Sequence, residues 1–260
     1  TNLAYGGTIY SGVGDIFTVR GKQLLIRDLQ IVGGNNGLVL NGASYCEFIG
    51  VQAISNGAQS IRILSSNSNA FRRCVAFAVG TLSSFASHTP SVGNYVENSV
   101  LSSRNAIALA SQGRNTISNI TGCIIVGVRS ITVLAGTPYR VTRSVFYPSG
   151  QIHPDLDTLA DVQGVFTNWV GNTYADPKFV NQEGLDFHLV SAAGFVSNGV
   201  WTTNAAVGYS PAIDFGARSA SVGDEPAPNG GRINVGLYGG TAEASKSNTN
   251  DWLFAMTFND

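Results

Sequence analysis

Charged side chains are scarce in this chain: Asp, Glu, Lys and Arg make up 12% of its 260 residues, and the net charge is −1. That balance lacks the basic excess that neutralises phosphate backbones, so it argues against a nucleic-acid partner. Histidine and cysteine occur three times each. No C-x-x-C or Cys/His spacing appears, which removes a structural zinc frame, and an odd cysteine count leaves a thiol unpaired. No apolar run reaches the roughly 18 residues of a membrane-spanning helix, which argues against membrane insertion. P-loop, dinucleotide-binding and Ser/His/Asp patterns are likewise missing. The chain begins at Thr1 with neither Met nor a signal-like segment, as a processed mature form or an excised fragment would.

What is present is a returning phrase. "IRDLQIV" at Ile26, "FIGVQAI" at Phe48, "FRRCVAF" at Phe71, "YVENSVL" at Tyr95, "ITGCIIV" at Ile120 and "VTRSVFY" at Val141 start 22, 23, 24, 25 and 21 residues apart. A second, weaker phrase opens at Leu38, Ile61, Phe85, Ile107 and Ile131. Periods of this size mean stacked supersecondary units. The phrases are too short and too rich in Val, Ile and Phe for two-helix repeats, and the leucine-rich consensus is absent. An all-β parallel β-helix of about six or more coils remains, with Gly, Ser and Asn serving its corners.

Alternation assigns directions within each coil. Leu29 and Ile31, Val51 and Ala53, Cys74 and Ala76, Asn98 and Val100, Cys123 and Ile125, Ser144 and Phe146 point inward. Gln30, Gln52, Val75, Ser99, Ile124 and Val145 point outward. The next column, Val32, Ile54, Phe77, Leu101, Val126 and Tyr147, is apolar although alternation places it outside. A corner turning it into the core, cover by the C-terminal segment, or an exposed ligand or partner strip are its three readings. In this alignment Asn98 is buried and needs turn backbone to bond with. Cys74 and Cys123 lie two coils apart, about 9.6 Å at a strand spacing of about 4.8 Å, which is beyond disulfide reach. With Cys46 they read as buried free thiols.

Flanking segments divide the chain further. Residues 1–22 read as an N-terminal cap over the open edge of the ladder, 23–150 as the coils, 151–175 as an excursion with a helix, 176–247 as a C-terminal closing region and 248–260 as a tail strand. Within 81–94, Ser, Thr and Pro suggest a looser corner carrying His88 as a surface loop residue. In "HPDLDTLADVQGVF" Pro154 is expected near the first helical position, with Asp155 and Asp157 in the first turn; Asp161 completes no EF-hand. The tail places Trp252, Phe254, Met256 and Phe258 on one alternating face. Charge is uneven: residues 1–150 hold 11 Lys/Arg against 4 Asp/Glu, a net of +7, and residues 151–260 hold 4 against 12, a net of −8. Complementary halves raise head-to-tail copies of the chain as one expected partner.

The segments "YADPKFVNQEGLDFHL" (174–189), "GYSPAIDFG" (208–216) and "EPAPNGGRINVGLYGGTAEASKS" (225–247), with the Trp-containing "VSNGVWTTNAAV" between the first two, resemble the C-terminal signature of secreted or cell-surface bacterial right-handed parallel β-helix proteins. The resemblance implies that fold, right-handed coiling and an extracellular location, and it implies no particular activity. The family often has "IDAGDP" where this chain has "IDFGARS", so Ala217 stands in place of an acidic residue. Read physically, Pro211, Pro226, Pro228 and the glycine pairs close a last coil, and Arg232 packs or pairs near Asp214 or Glu225.

A glycosidase needs two carboxylates about 5–9.5 Å apart. In the outward turn column Asp28, Gly50, Arg73, Glu97, Gly122 and Arg143, the two acids are three coils apart, about 14 Å. No two of Asp15, Asp28, Glu47 and Glu97 share a neighbouring position, so calcium has no carboxylate cluster to hold it and no cofactor is implied. The remaining catalytic arrangement sets Arg72, Arg73, Arg143 and His88 around Glu97, as in a polysaccharide lyase cleaving uronate-containing glycans; surface Arg–Glu pairing between coils is the plainer reading. A non-catalytic structural, adhesive or self-assembling role leads, with extended polysaccharide as a ligand and Tyr45, Tyr139 and Tyr147 as candidate stacking platforms.

Overall fold

The computed structural model describes residues 2–11, 13–112, 116–133, 140–153 and 155–248. Tyr139, Pro154 and the Trp252, Phe254, Met256, Phe258 face lie outside the described residues. The chain forms two compact units, Thr1–Tyr174 and Ala175–Asp260.

The first unit is a parallel β-helix. Its strands are β1 (Asn2–Ser11), β2 (Asp15–Lys22), β3 (Leu25–Gly33), β4 (Asn36–Ser44), β5 (Glu47–Ile49), β6 (Gln52–Asn56), β7 (Ile61–Leu64), β8 (Ala70–Arg72), β9 (Val75–Ala78), β10 (Phe85–His88), β11 (Asn94–Glu97), β12 (Val100–Ser103), β13 (Ile107–Gln112), β14 (Ile117–Thr121), β15 (Ile124–Gly127), β16 (Arg129–Val133), β17 (Arg140–Thr142), β18 (Val145–Pro148), β19 (Trp169–Val170) and β20 (Thr173–Tyr174). They stack into three faces. The first is β3-β5-β8-β11-β14-β17-β19 and the second β3-β6-β9-β12-β15-β18-β20, with β3 running through both. The third is β2-β4-β7-β10-β13-β16, and every pairing on the three faces is parallel. The third face holds six strands, five turns apart end to end, and the first face seven, in keeping with a parallel β-helix of about the expected number of coils. Residues 2–22, expected as a cap, build a coil of their own: β1 pairs with β3 and β2 with β4.

One corner sets the cross-section. Between the first and second faces a single residue per coil takes left-handed backbone: Asp28, Gly50, Arg73, Asn98, Gly122, Arg143 and Gly171. Its N–H donates to the coil above, as from Gly50 to Arg72 O at 3.0 Å and from Asn98 to Thr121 O at 2.9 Å. Left-handed backbone costs a non-glycine residue about 1–2 kcal/mol, least for Asn and Asp, and a single residue suffices to bend the strand.

This corner corrects the fourth repeat. Val96 pairs with Phe71 and Ile120, so the phrase starts at Val96 rather than Tyr95. Ser99 therefore joins the inward column with Cys74 and Cys123, Leu101 faces inward with Ala76 and Ile125, and Val100 and Ser102 take the outward places. Asn98 is half-buried at the corner, not a core residue. In the second phrase Leu109, not Ile107, pairs with Phe85 and Ile131.

The interior is a continuous stack. Phe48 lies face to face with Phe71 at 4.9 Å, Phe71 meets Phe85 edge-on at 5.2 Å, and Phe146 stacks on Trp169. Each such buried side chain contributes about 1.5–3 kcal/mol. Buried amides and hydroxyls satisfy the turn backbone: Asn69 Oδ1 accepts from Cys46 N–H, Asn94 Oδ1 from Asn69 N–H, and Ser99 Oγ from Cys74 N–H. The outward column is now Val32, Ile54, Phe77, Ser102, Val126 and Tyr147. Ile54, Phe77, Ser102 and Val126 are buried yet outside the main core cluster, and Arg104 covers the Phe77 ring at 5.8 Å.

The helix α1 (Leu159–Val165) starts later than expected, because Thr158 and Asp161 form a reciprocal capping box. Asp155 and Asp157 precede it, and Asp157 accepts from Gln151 Nε2 at 2.7 Å. The second unit holds two antiparallel pairs, β21 (Phe179–Asn181) with β22 (Asp186–Leu189) and β23 (Phe195–Ser197) with β24 (Val200–Thr202), followed by loops.

Candidate functional site

The residues proposed for catalysis do not converge. Arg73 and Arg143 occupy the left-handed corner three coils apart, and His88 ends β10 on the third face, half-buried, with Gln59 Nε2 3.5 Å from its Nε2. Arg72 and Glu97 do meet, on the first face. Arg72 Nε lies 3.2 Å from Glu97 Oε2 and its terminal nitrogen 3.2 Å from Glu47 Oε1. Glu47, set aside at the sequence level, thus sits one coil before Arg72, with Glu97 one coil after. Two of the three guanidinium nitrogens thus face these two neighbours, and all three side chains are well exposed, at 38–46%. This is an inter-coil ion ladder.

The tyrosines also separate. Tyr45 stands 64% exposed in left-handed backbone between the third and first faces. Tyr147 projects from the second face, and its ring meets Tyr174 edge-on at 6.2 Å.

A different feature spans neighbouring coils. At the first–second corner of the first three coils, an open hollow of ≈340 Å³ is lined by Gly7, Thr8, Asp28, Gln30, Gly50 and Gln52, together with Leu29. Thr8, Gln30 and Gln52 share one outward column. Thr8 Oγ1 donates to Gln30 Oε1 and Gln30 Nε2 donates to Gln52 Oε1, each at 3.2 Å. In the next coil the column passes to Val75, then Val100, Ile124 and Val145, all buried. The sequence marked Gln30 and Gln52 as outward, and glutamine recurring at that place in successive coils was the available signal; the hollow follows from the corner.

Buried ionisable groups gather in the second unit. His188 is held between carboxylates, with Nδ1 2.6 Å from Asp186 Oδ1 and Nε2 3.5 Å from Glu243 Oε2, and its ring stacks on Tyr238 at 3.6 Å. Burial pushes the Tyr238 hydroxyl upward, and the charges of Asp186 and Glu243 push the same way. The adjoining hollow lined by Leu189, Asn234 and Tyr238 measures ≈10 Å³, room for one water at most. Glu225 is buried, and its Oε1 accepts from Asn234 N–H at 2.7 Å and Gly240 N–H at 2.8 Å. Arg232 donates to the carbonyls of Phe215 and Gly216. These contacts clamp loops together. Among the described residues no group of three His, Cys, Asp or Glu side chains is placed to hold a metal ion, and no helix is long and apolar enough to cross a membrane.

No protein-family model, curated protein or solved structure matches this chain.

Proposed function

We propose that this chain is an extracellular bacterial β-helix module with a non-catalytic role, acting as a structural, adhesive or self-assembling surface element whose ligand is extended polysaccharide. The observation that carries the reading is the scatter of the reactive side chains. Arg73, Arg143 and His88 are distributed over corner and third face, while Arg72 is engaged by Glu47 and Glu97. A stack of parallel coils meanwhile repeats its polar side chains at a fixed spacing of about 4.8 Å, which suits a ligand that is itself a repeat. The extracellular assignment rests on the C-terminal sequence resemblance.

One observation favours the competing reading, a polysaccharide lyase acting on uronates: Arg72 and Glu97 are in contact. Incubating the chain with a polyuronate panel and following the ultraviolet absorbance of unsaturated products separates the two. The non-catalytic reading expects a flat trace. Product formation that disappears in Arg72→Ala would replace it with the lyase. Self-assembly has its own measurement, light scattering over a salt and concentration series, where the opposite charges of the two halves predict larger species at low salt.

A further inference from the structure

We infer that the hollow at the first–second corner of the first three coils is a subsite for a neutral, hydroxyl-rich polysaccharide strand lying along the stacking direction. The inference rests on the glycan-binding part of the proposed function and gives it a place and a chemical class.

The column Thr8, Gln30, Gln52 presents a hydroxyl and two primary amides, groups that donate and accept as sugar hydroxyls do. Two successive coil intervals cover about 9.6 Å, a span comparable to two sugar residues. The side chains are already fixed by their own hydrogen bonds, Thr8 to Gln30 and Gln30 to Gln52. Little rotamer freedom is left to lose on binding, which is the advantage of a preorganised site. The ladder ends at Gln52, because Val75 in the following coil offers no polar group. Beside it, Asp28 is exposed at the corner with its carboxylate over Gly50, and both residues line the hollow.

Charge selects the ligand class. Among the described residues lining the hollow there is no Lys or Arg, and the single ionised group is the Asp28 carboxylate. A carboxylate accepts from a pair of neighbouring hydroxyls, whereas a uronate would bring a like charge against it. The ligand is therefore neutral.

The test is affinity electrophoresis of the full chain in gels containing neutral polysaccharides (dextran, laminarin, galactomannan, xylan) or polyuronates (polygalacturonate, alginate). The expected result is retardation by at least one neutral polymer and none by polyuronates. Retention should weaken about tenfold or more in the double variant Gln30→Val/Gln52→Val, the effect of one or two lost hydrogen bonds. Thr8→Trp, at an exposed position, fills the hollow and should abolish retention even if the double variant folds poorly; Asp28→Asn should admit polyuronates. Neutral binding that both hollow variants leave unchanged overturns the subsite and spares the general glycan reading. Preference for polyuronates overturns the subsite alone. Retention by no polymer removes both.

Discussion

The carboxylate of Asp28 fills the space above Gly50: a β-carbon at position 50 would lie 2.6 Å from Asp28 Oδ1. The same relation recurs along the corner, where Asn98 lies over Gly122 and Arg143 over Gly171. Three residues that reach across the coil, Asp28, Asn98 and Arg143, are thus each followed in the next coil by a glycine that makes room. Gly50→Ala carries two costs, the left-handed backbone and the displacement of Asp28. Gly42, also left-handed but with open space around it, carries only the first. Thermal melting should show Gly42→Ala losing about 1 kcal/mol and Gly50→Ala clearly more. Adding Asp28→Gly, which removes the side chain at no left-handed backbone cost, to Gly50→Ala should recover the difference, and equal losses at both glycines would show that the corner stacking has no energetic weight.

Arg72 illustrates how little an exposed ion ladder is worth. Its three members are 38–46% exposed, so solvent screens each contact. Arg72→Ala should lower stability by no more than about 1 kcal/mol at low salt, and high salt should erase the effect. Chemical denaturation at two ionic strengths measures this. A salt-independent loss of several kcal/mol would mean that Arg72 is a packing residue.

The legible part of the fold was its period and the inward columns of most coils, because alternating apolar residues report directly on burial. The one-residue slip at the fourth coil has a physical origin. In "NYVENSVL" both Tyr95 and Val96 can open an apolar phrase, and only the corner decides between them. Asn98 tolerates left-handed backbone as Asp28, Gly50 and Gly122 do, so aligning on the turn residue instead of the apolar phrase gives the observed pairing. Residues 2–22 read as a cap because the open first edge of the ladder needs cover, and β1 and β2 supply it by pairing with the coil that follows. The hollow beside Gln30 was hidden for a different reason. Concavity is a property of three coils together, and no single phrase encodes it.

The cysteines are shielded from solvent in the native chain. All three are free and buried. Burial pushes the Cys74 and Cys123 thiols up to about 12, and backbone hydrogen bonding offsets only part of that shift. Burial thus disfavours the thiolate, which is the reactive form. Ellman's reagent should therefore label no thiol in the folded protein and three in denaturant. Melting should also be indifferent to reductant. Rapid native labelling would place the inward column of the β-helix in contact with solvent.

Glu225 makes the second unit sensitive to pH in the direction opposite to a paired carboxylate. Burial is the largest influence and lifts its pKa to about 7; the N–H groups of Gly240 and Asn234 pull it down, and the charge of Asp214 pushes it up. A carboxyl whose folded-state pKa lies above its unfolded value of 4.5 binds its proton more tightly when folded. The stabilisation is complete below pH 4.5 and is lost as pH rises through 7, so ionised Glu225 weakens the unit at alkaline pH. Glu225→Gln keeps an oxygen for both backbone donors and removes the charge. Hydrogen exchange at the Asn234 and Gly240 amides, corrected for the intrinsic pH dependence, should show protection falling between pH 5 and about 8 in the parent chain and staying flat in Glu225→Gln. The variant should be the better protected of the two above neutrality. Parallel profiles would instead mean that Glu225 stays ionised across this range, held by the two N–H donors more strongly than burial opposes it.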